Sequence, residues 1–195
     1  AQFTWEHFQN VINTDLANVL GNFVNRILKF ANARFDGVVP DGGEPGEHEA
    51  WLAGEVDERL DAIAAHYEAM EFRKAGVETR ALWAAGNEYL TRAEPWTHFK
   101  TDTDKAAVGV RTGINLAVLS AIAAQPVIPE TAGRILDAVG VPAANRTWPA
   151  DAGSVLLDAL PRGLAFEVPD VLFKKIEDDQ VAEWAERFGG ANGNT

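Results

Sequence analysis

The chain has 195 residues, 47% of them apolar and 24% charged, with no cysteine and a formal net charge of −12 at pH 7. That is enough chain for one domain with a sizeable core. It excludes disulfides, thiol catalysis and cysteine-ligated zinc, and it weighs against a sequence-independent binder of phosphate backbones, which carries a basic footprint.

The acids are clustered: residues 44–61 hold seven and residues 177–186 hold five, so a neutral or basic face elsewhere is compatible with the total. The N-terminal AQFTWEHFQN lacks the basic start and continuous apolar run of a signal peptide. A start at Ala1 without an initiator Met suggests a piece of a longer chain. Residues 4–34 read as one long helix, capped by Thr4, with Ile12, Leu16, Val19, Leu20, Phe23 and Ile27 at helical spacing. PDGGEPGEH (40–48) is a loop dense in Pro and Gly. A second helix covers 49–70, with Leu52, Val56, Leu60, Ile63 and Tyr67 on one side. A third covers 72–91 and is stopped by Pro95. Thr103 caps a fourth that runs to about residue 124, before Pro126. The apolar stretch 114–128 is broken by Asn115, Ser120, Gln125 and Pro126, too short and interrupted to span a bilayer; no membrane partner is expected. Pro129 opens a fifth helix that ends at Gly140. Short extended pieces follow in 163–176, then one or two helical turns in 180–188.

The fold class is therefore all-α: an antiparallel helical bundle in 1–140. An irregular C-terminal segment, 141–188, packs back on it, and a disordered tail is expected at 189–195.

No catalytic constellation stands out. His7, His48, His66 and His98 are scattered, and Glu47-His48-Glu49 lacks a second His at helical spacing. There is no Gly-rich phosphate loop, nucleophile elbow or paired-carboxylate signature, so no catalytic residue and no metal ligand is assigned. Two features are suggestive. Asp15, Asn18, Asn22, Arg26 and Lys29 fall, at about 100° per residue, within a sector of roughly 80°, with Asn25 at its border. Amides that donate and accept, beside a planar guanidinium, suit the edge of an unstacked base; the same stripe is also what the wet side of any bundle helix looks like. Pro95-Trp96 places a stiffened indole just past the third helix, where it could stack on a nucleobase or pack under the following loop.

Four blocks then carry a resemblance. Asn13–Arg26 (NTDLANVLGNFVNR), Tyr89–Trp96 (YLTRAEPW), Pro126–Thr131 (PVIPET) and Leu172–Glu177 (LFKKIE) resemble, in order, blocks of the anticodon-binding domain of methionyl-tRNA synthetases. The resemblance implies tRNA recognition through the CAU anticodon of a methionine-accepting tRNA, by Asn22, Arg26 and Trp96, with Pro95 orienting the Trp. The family's H-I-G-H and K-M-S-K-S type motifs are absent. The resemblance thus implies a cytoplasmic parent ligase whose catalytic domain, with ATP and magnesium, lies outside this chain and is a partner of its C-terminal segment, while this chain needs no cofactor. The isoleucine, valine, leucine and cysteine enzymes use similar bundles, and a stand-alone helical protein-interaction module is the reading from another class.

Overall fold

The structure is a computed structural model describing residues 3–149, 151, 156 and 158–188; the expected tail, 189–195, lies outside the described residues. The chain begins as one rod in three pieces, α1 (Trp5–Val11), a π-helical stretch (Ile12–Gly21) and α2 (Asn22–Arg34). Then follow α3 (Glu47–Glu68), α4 (Phe72–Ala93), the single turn α5 (Pro95–His98), α6 (Thr103–Ala124), α7 (Pro129–Ala138), a 3-10 turn (Ala143–Asn145) and α8 (Asp178–Phe188). The bundle is all-α, as expected.

Thr4 caps the rod, its hydroxyl accepting from the His7 N–H at 3.1 Å. The π-helical middle differs from the expected uniform helix. Hydrogen bonds from i to i+5 make a wider turn, and the apolar spacing in this stretch is met by either winding. Within this stretch Asp15, part of the polar stripe, pairs with Arg80 of α4 at 2.5 Å.

The core is built around α6. Its residues 106–124 are all buried, against α2, α3, α4, α5 and α7. By length and composition this helix could cross a membrane, which the stretch 114–128 alone did not suggest; here the whole of it is enclosed by its neighbours. Small residues make that possible. A Cβ at Gly113 would lie 2.8 Å from Ile27 of α2, and one at Gly86 of α4 would lie 2.9 Å from the Phe23 ring. The α6 cap is Asp102, whose carboxylate accepts from the Lys105 N–H at 3.0 Å; Thr103, expected as the cap, is the first helical residue.

Buried polar groups on α6 tie down irregular chain. Arg111, fully buried, donates to the carbonyls of Pro40 (3.1 Å) and Gly42 (2.9 Å). The Asn115 amide oxygen accepts from the Leu160 N–H at 3.1 Å. Among the described residues the expected extended pieces reduce to one antiparallel bridge, Val38 with Ala165. The last helix is longer than expected, and it packs on α1 through Trp5 and Trp184, ring centroids 5.3 Å apart. Asn13 fixes the chain just before it: its side-chain amide donates to the Ile176 carbonyl and accepts from the Ile176 N–H, both at 2.8 Å.

Candidate nucleic-acid interface

Pro95 sets up the first half of the face. A residue before Pro is pushed out of the right-handed helical region, and Glu94 turns into the left-handed region, φ 38° and ψ 53°. That ends α4 and lets Pro95 open α5 at the position where its missing N–H costs nothing. Pro95 is buried against α6, where a Cβ at Gly109 would sit 3.3 Å from the Pro ring. So anchored, α5 holds Trp96 half-buried at the surface.

The second half comes from α2. The Arg26 guanidinium carbon lies over the Trp96 ring, 4.7 Å from its centroid. Phe30, one turn on, meets the same indole edge-on at 6.4 Å and 86°. The aromatic wall continues through Phe99, 6.0 Å from Phe30, and Phe35, 5.3 Å from Phe99, with Arg34 over Phe99 at 5.6 Å. Sequence reasoning missed Phe30, Phe35, Phe99 and Arg34. The signal was available in part, since Phe30 and Arg34 follow Arg26 at intervals of four.

Arg26 and Trp96, far apart in sequence, are thus brought together. Asn22 is exposed one turn before Arg26, and it lines a cavity of about 520 Å³ shared with Asn18, Asn25, Lys29 and the chain at 169–173. Ideal α-helical geometry puts Arg26 about 40° around the helix from Asn22, so Asn22 stands between the indole and this cavity. The two acidic clusters lie in the loop before α3, in α3 itself, and in and just before α8, while Asp170 lines the cavity with Lys29. Among the described residues, no group of three His, Asp or Glu side chains is placed to hold a metal ion.

Residues 39–193 match the family model described as the anticodon binding domain of methionyl tRNA ligase. The chain belongs to this family. Residues 1–28 match a second model, class I tRNA synthetases (M), so in this anticodon-binding domain Asn22 and Arg26 come from one matched stretch and Trp96 from the other. The methionine–tRNA ligase of Maricaulis maris (strain MCS10) is 66% identical over 98% of the chain, and that of Hyphomonas neptunium (strain ATCC 15444) is 59% identical over 97%. The chain spans about a third of the length of either, 34%. The free-state crystal structure of Mycobacterium tuberculosis methionyl-tRNA synthetase superposes with a TM-score of 0.80 at 27% identity, covering 90% of this chain and 35% of that one. The methionyl-adenylate complex of the same enzyme gives 0.73 at 28%, covering 87% and 33%. The sibling class I bundles therefore drop out as readings of this chain.

Proposed function

We propose that this domain reads the anticodon loop of a methionine-accepting tRNA, CAU, on behalf of a cytoplasmic methionine–tRNA ligase of which it is one part. The ligase's ATP- and magnesium-dependent chemistry would lie in the two thirds of such a protein that this chain does not span. The observation that carries the reading is the Arg26–Trp96 stack at the surface, with the free Asn22 amide one turn away. Arg26 forms no ion pair among the described residues, so its donors are unused. A cation over an exposed ring is worth about 0.5–1 kcal/mol, whereas a nucleobase stacked on it is worth about 1–3 kcal/mol. An incoming base can therefore take the ring face from the guanidinium, leaving Arg26 free to donate to the base edge beside Asn22. A wrong base leaves these groups unpaired, which is where rejection arises.

In the full-length ligase, Trp96→Ala should lower kcat/KM for tRNA charging by about 10- to 100-fold, the stacking contribution expressed as a rate, and leave ATP–pyrophosphate exchange near wild type. Arg26→Ala should narrow the preference for CAU over other anticodons. If exchange falls in parallel with charging, Trp96 is a folding residue and the reading fails.

A further inference from the structure

Exposed apolar side chains gather at the end of the bundle away from Trp96. The rod and α4 run side by side in one direction: Arg80 meets Asp15 at 2.5 Å and, further along both, the Asn87 amide donates to the Val19 carbonyl at 3.1 Å. Phe72 opens α4 two turns before Arg80, so the α3–α4 turn lies at the end where the rod begins, about 12 Å beyond that ion pair. α8 brings Phe188 to the same end, its ring 6.0 Å from that of Trp5. Among the described residues, nine large apolar side chains stay exposed, and six of them are here: Phe3, Phe8 and Phe188 on the rod's start and α8, and Met70, Phe72 and Val77 at the turn.

The turn is built against local preference. Met70 closes α3 in the left-handed region, φ 57°, and the Glu71 N–H donates back to the His66 carbonyl at 2.8 Å. That position favours glycine, which has no Cβ to strain. Met70 takes the strain and is 77% exposed, with Phe72 65% and Val77 61% exposed nearby, so the three leave most of their surface to water. A position that breaks a local rule with no local gain points to a gain from outside the domain. Met and Phe bordered by His66, Glu71 and Lys74, which pair with one another, have the composition of an interface core with a polar rim. What lies at this end follows from the family match. The rod's start falls within the stretch that matches the class I synthetase model, whereas residues 70–77 fall within the anticodon-domain match. About two thirds of the length of the ligases it matches lies outside this chain. The class I part of such a ligase therefore meets this domain at the end where the turn stands.

We propose that the α3–α4 turn, with the aromatic face of α1 and α8, docks the class I part of the parent ligase and so fixes how a tRNA held at Trp96 meets that ligase's chemistry. The inference rests on the reading that this domain is one part of such a ligase. Its test uses the full-length protein. Met70 is the sole Met of this chain, and peroxide oxidises a Met according to its exposure. Mass spectrometry of the peptide spanning position 70 should find it oxidised about 10-fold more slowly than the methionine introduced by Thr101→Met, exposed at the far end of the bundle. Phe72→Asp/Val77→Asp places charge in the contact at two exposed helix positions. It should bring Met70 oxidation up to that reference rate and lower kcat/KM for charging about 10- to 100-fold, the effect of a misplaced substrate. The helical circular dichroism, ATP–pyrophosphate exchange and the preference for CAU should stay at wild type. Met70 oxidised at the reference rate in the otherwise unaltered ligase would leave the turn in solvent and overturn the inference. Protection that fades on dilution would overturn it too, by giving the face to a second copy, as would wild-type charging by the double variant. A charging loss that comes with loss of CAU preference would move the effect to the anticodon face and again overturn it. The anticodon reading stands or falls separately, on Trp96→Ala.

Discussion

Glu49 shows how one side chain can serve two elements. Its Oε2 accepts from the Gly46 N–H at 2.7 Å, closing the first turn of α3, and its Oε1 accepts from the Tyr89 hydroxyl of α4 at 2.5 Å. Tyr89 is fully buried, and burial first, then the Glu49 carboxylate, pushes its phenol well above the ordinary 10.0. The folded state therefore keeps the Tyr89 proton longer than the unfolded chain does. This contribution is complete below pH 10 and is lost as pH rises above that value. Tyr89→Phe removes a hydrogen bond to a charged group, so it should cost about 1.5–3 kcal/mol in urea unfolding at pH 8. The deficit relative to wild type should shrink when the measurement is repeated above pH 10. A deficit independent of pH would mean that the phenol is not held protonated by the fold.

At the scale of elements, the glycines separate two physical effects. In an exposed helix interior, Ala in place of Gly gains about 0.5–1 kcal/mol through chain entropy. Gly76 of α4 has nothing within 4 Å of its would-be Cβ, so Gly76→Ala should raise stability by that amount. Gly113 of α6 has the same propensity to gain, but its Cβ would stand 2.8 Å from Ile27, a side chain only 1% exposed. Overpacking of this kind costs about 1–3 kcal/mol, so Gly113→Ala should lose stability, with opposite signs for the two variants in one urea series. Equal gains would show that α2 moves freely against α6. The helices themselves were legible because Thr4, Pro95, Pro126, Pro129 and Gly140 punctuate the chain and each leaves a local chemical signature. The π-helical stretch was not, because its hydrogen-bond register leaves no mark in an apolar pattern that either winding satisfies. Trp96 and Arg26 were legible as candidates from a Pro and a helical spacing. Their stacking was not, since it depends on how closely α5 seats against Gly109 of α6. The cavity escaped sequence reading altogether, because its second wall is irregular chain lying about 150 residues after the first.

The molecule as a whole ties the rod at its start to the chain just before its last helix. Asn13 in the rod and Ile176, 163 residues later, pair like neighbours in an antiparallel ladder. Gln9 adds a third bond to the Ile176 carbonyl at 3.0 Å. Beyond these bonds and those that Arg134 of α7 donates to the carbonyls of Asp170, Val171 and Leu172, the 169–176 stretch carries little of the core, which is centred on α6 and its neighbouring helices. Asn13→Ala should therefore act locally. It leaves the Ile176 N–H without its partner, at a cost of about 1–3 kcal/mol, and that cost is met by releasing the segment rather than by unfolding the bundle. Amide exchange should accelerate about 10- to 100-fold through 172–177 and stay unchanged in α6. Parallel acceleration in α6 would instead mean that the C-terminal segment and the bundle unfold as one cooperative unit, so that the cavity wall cannot loosen without loss of the fold.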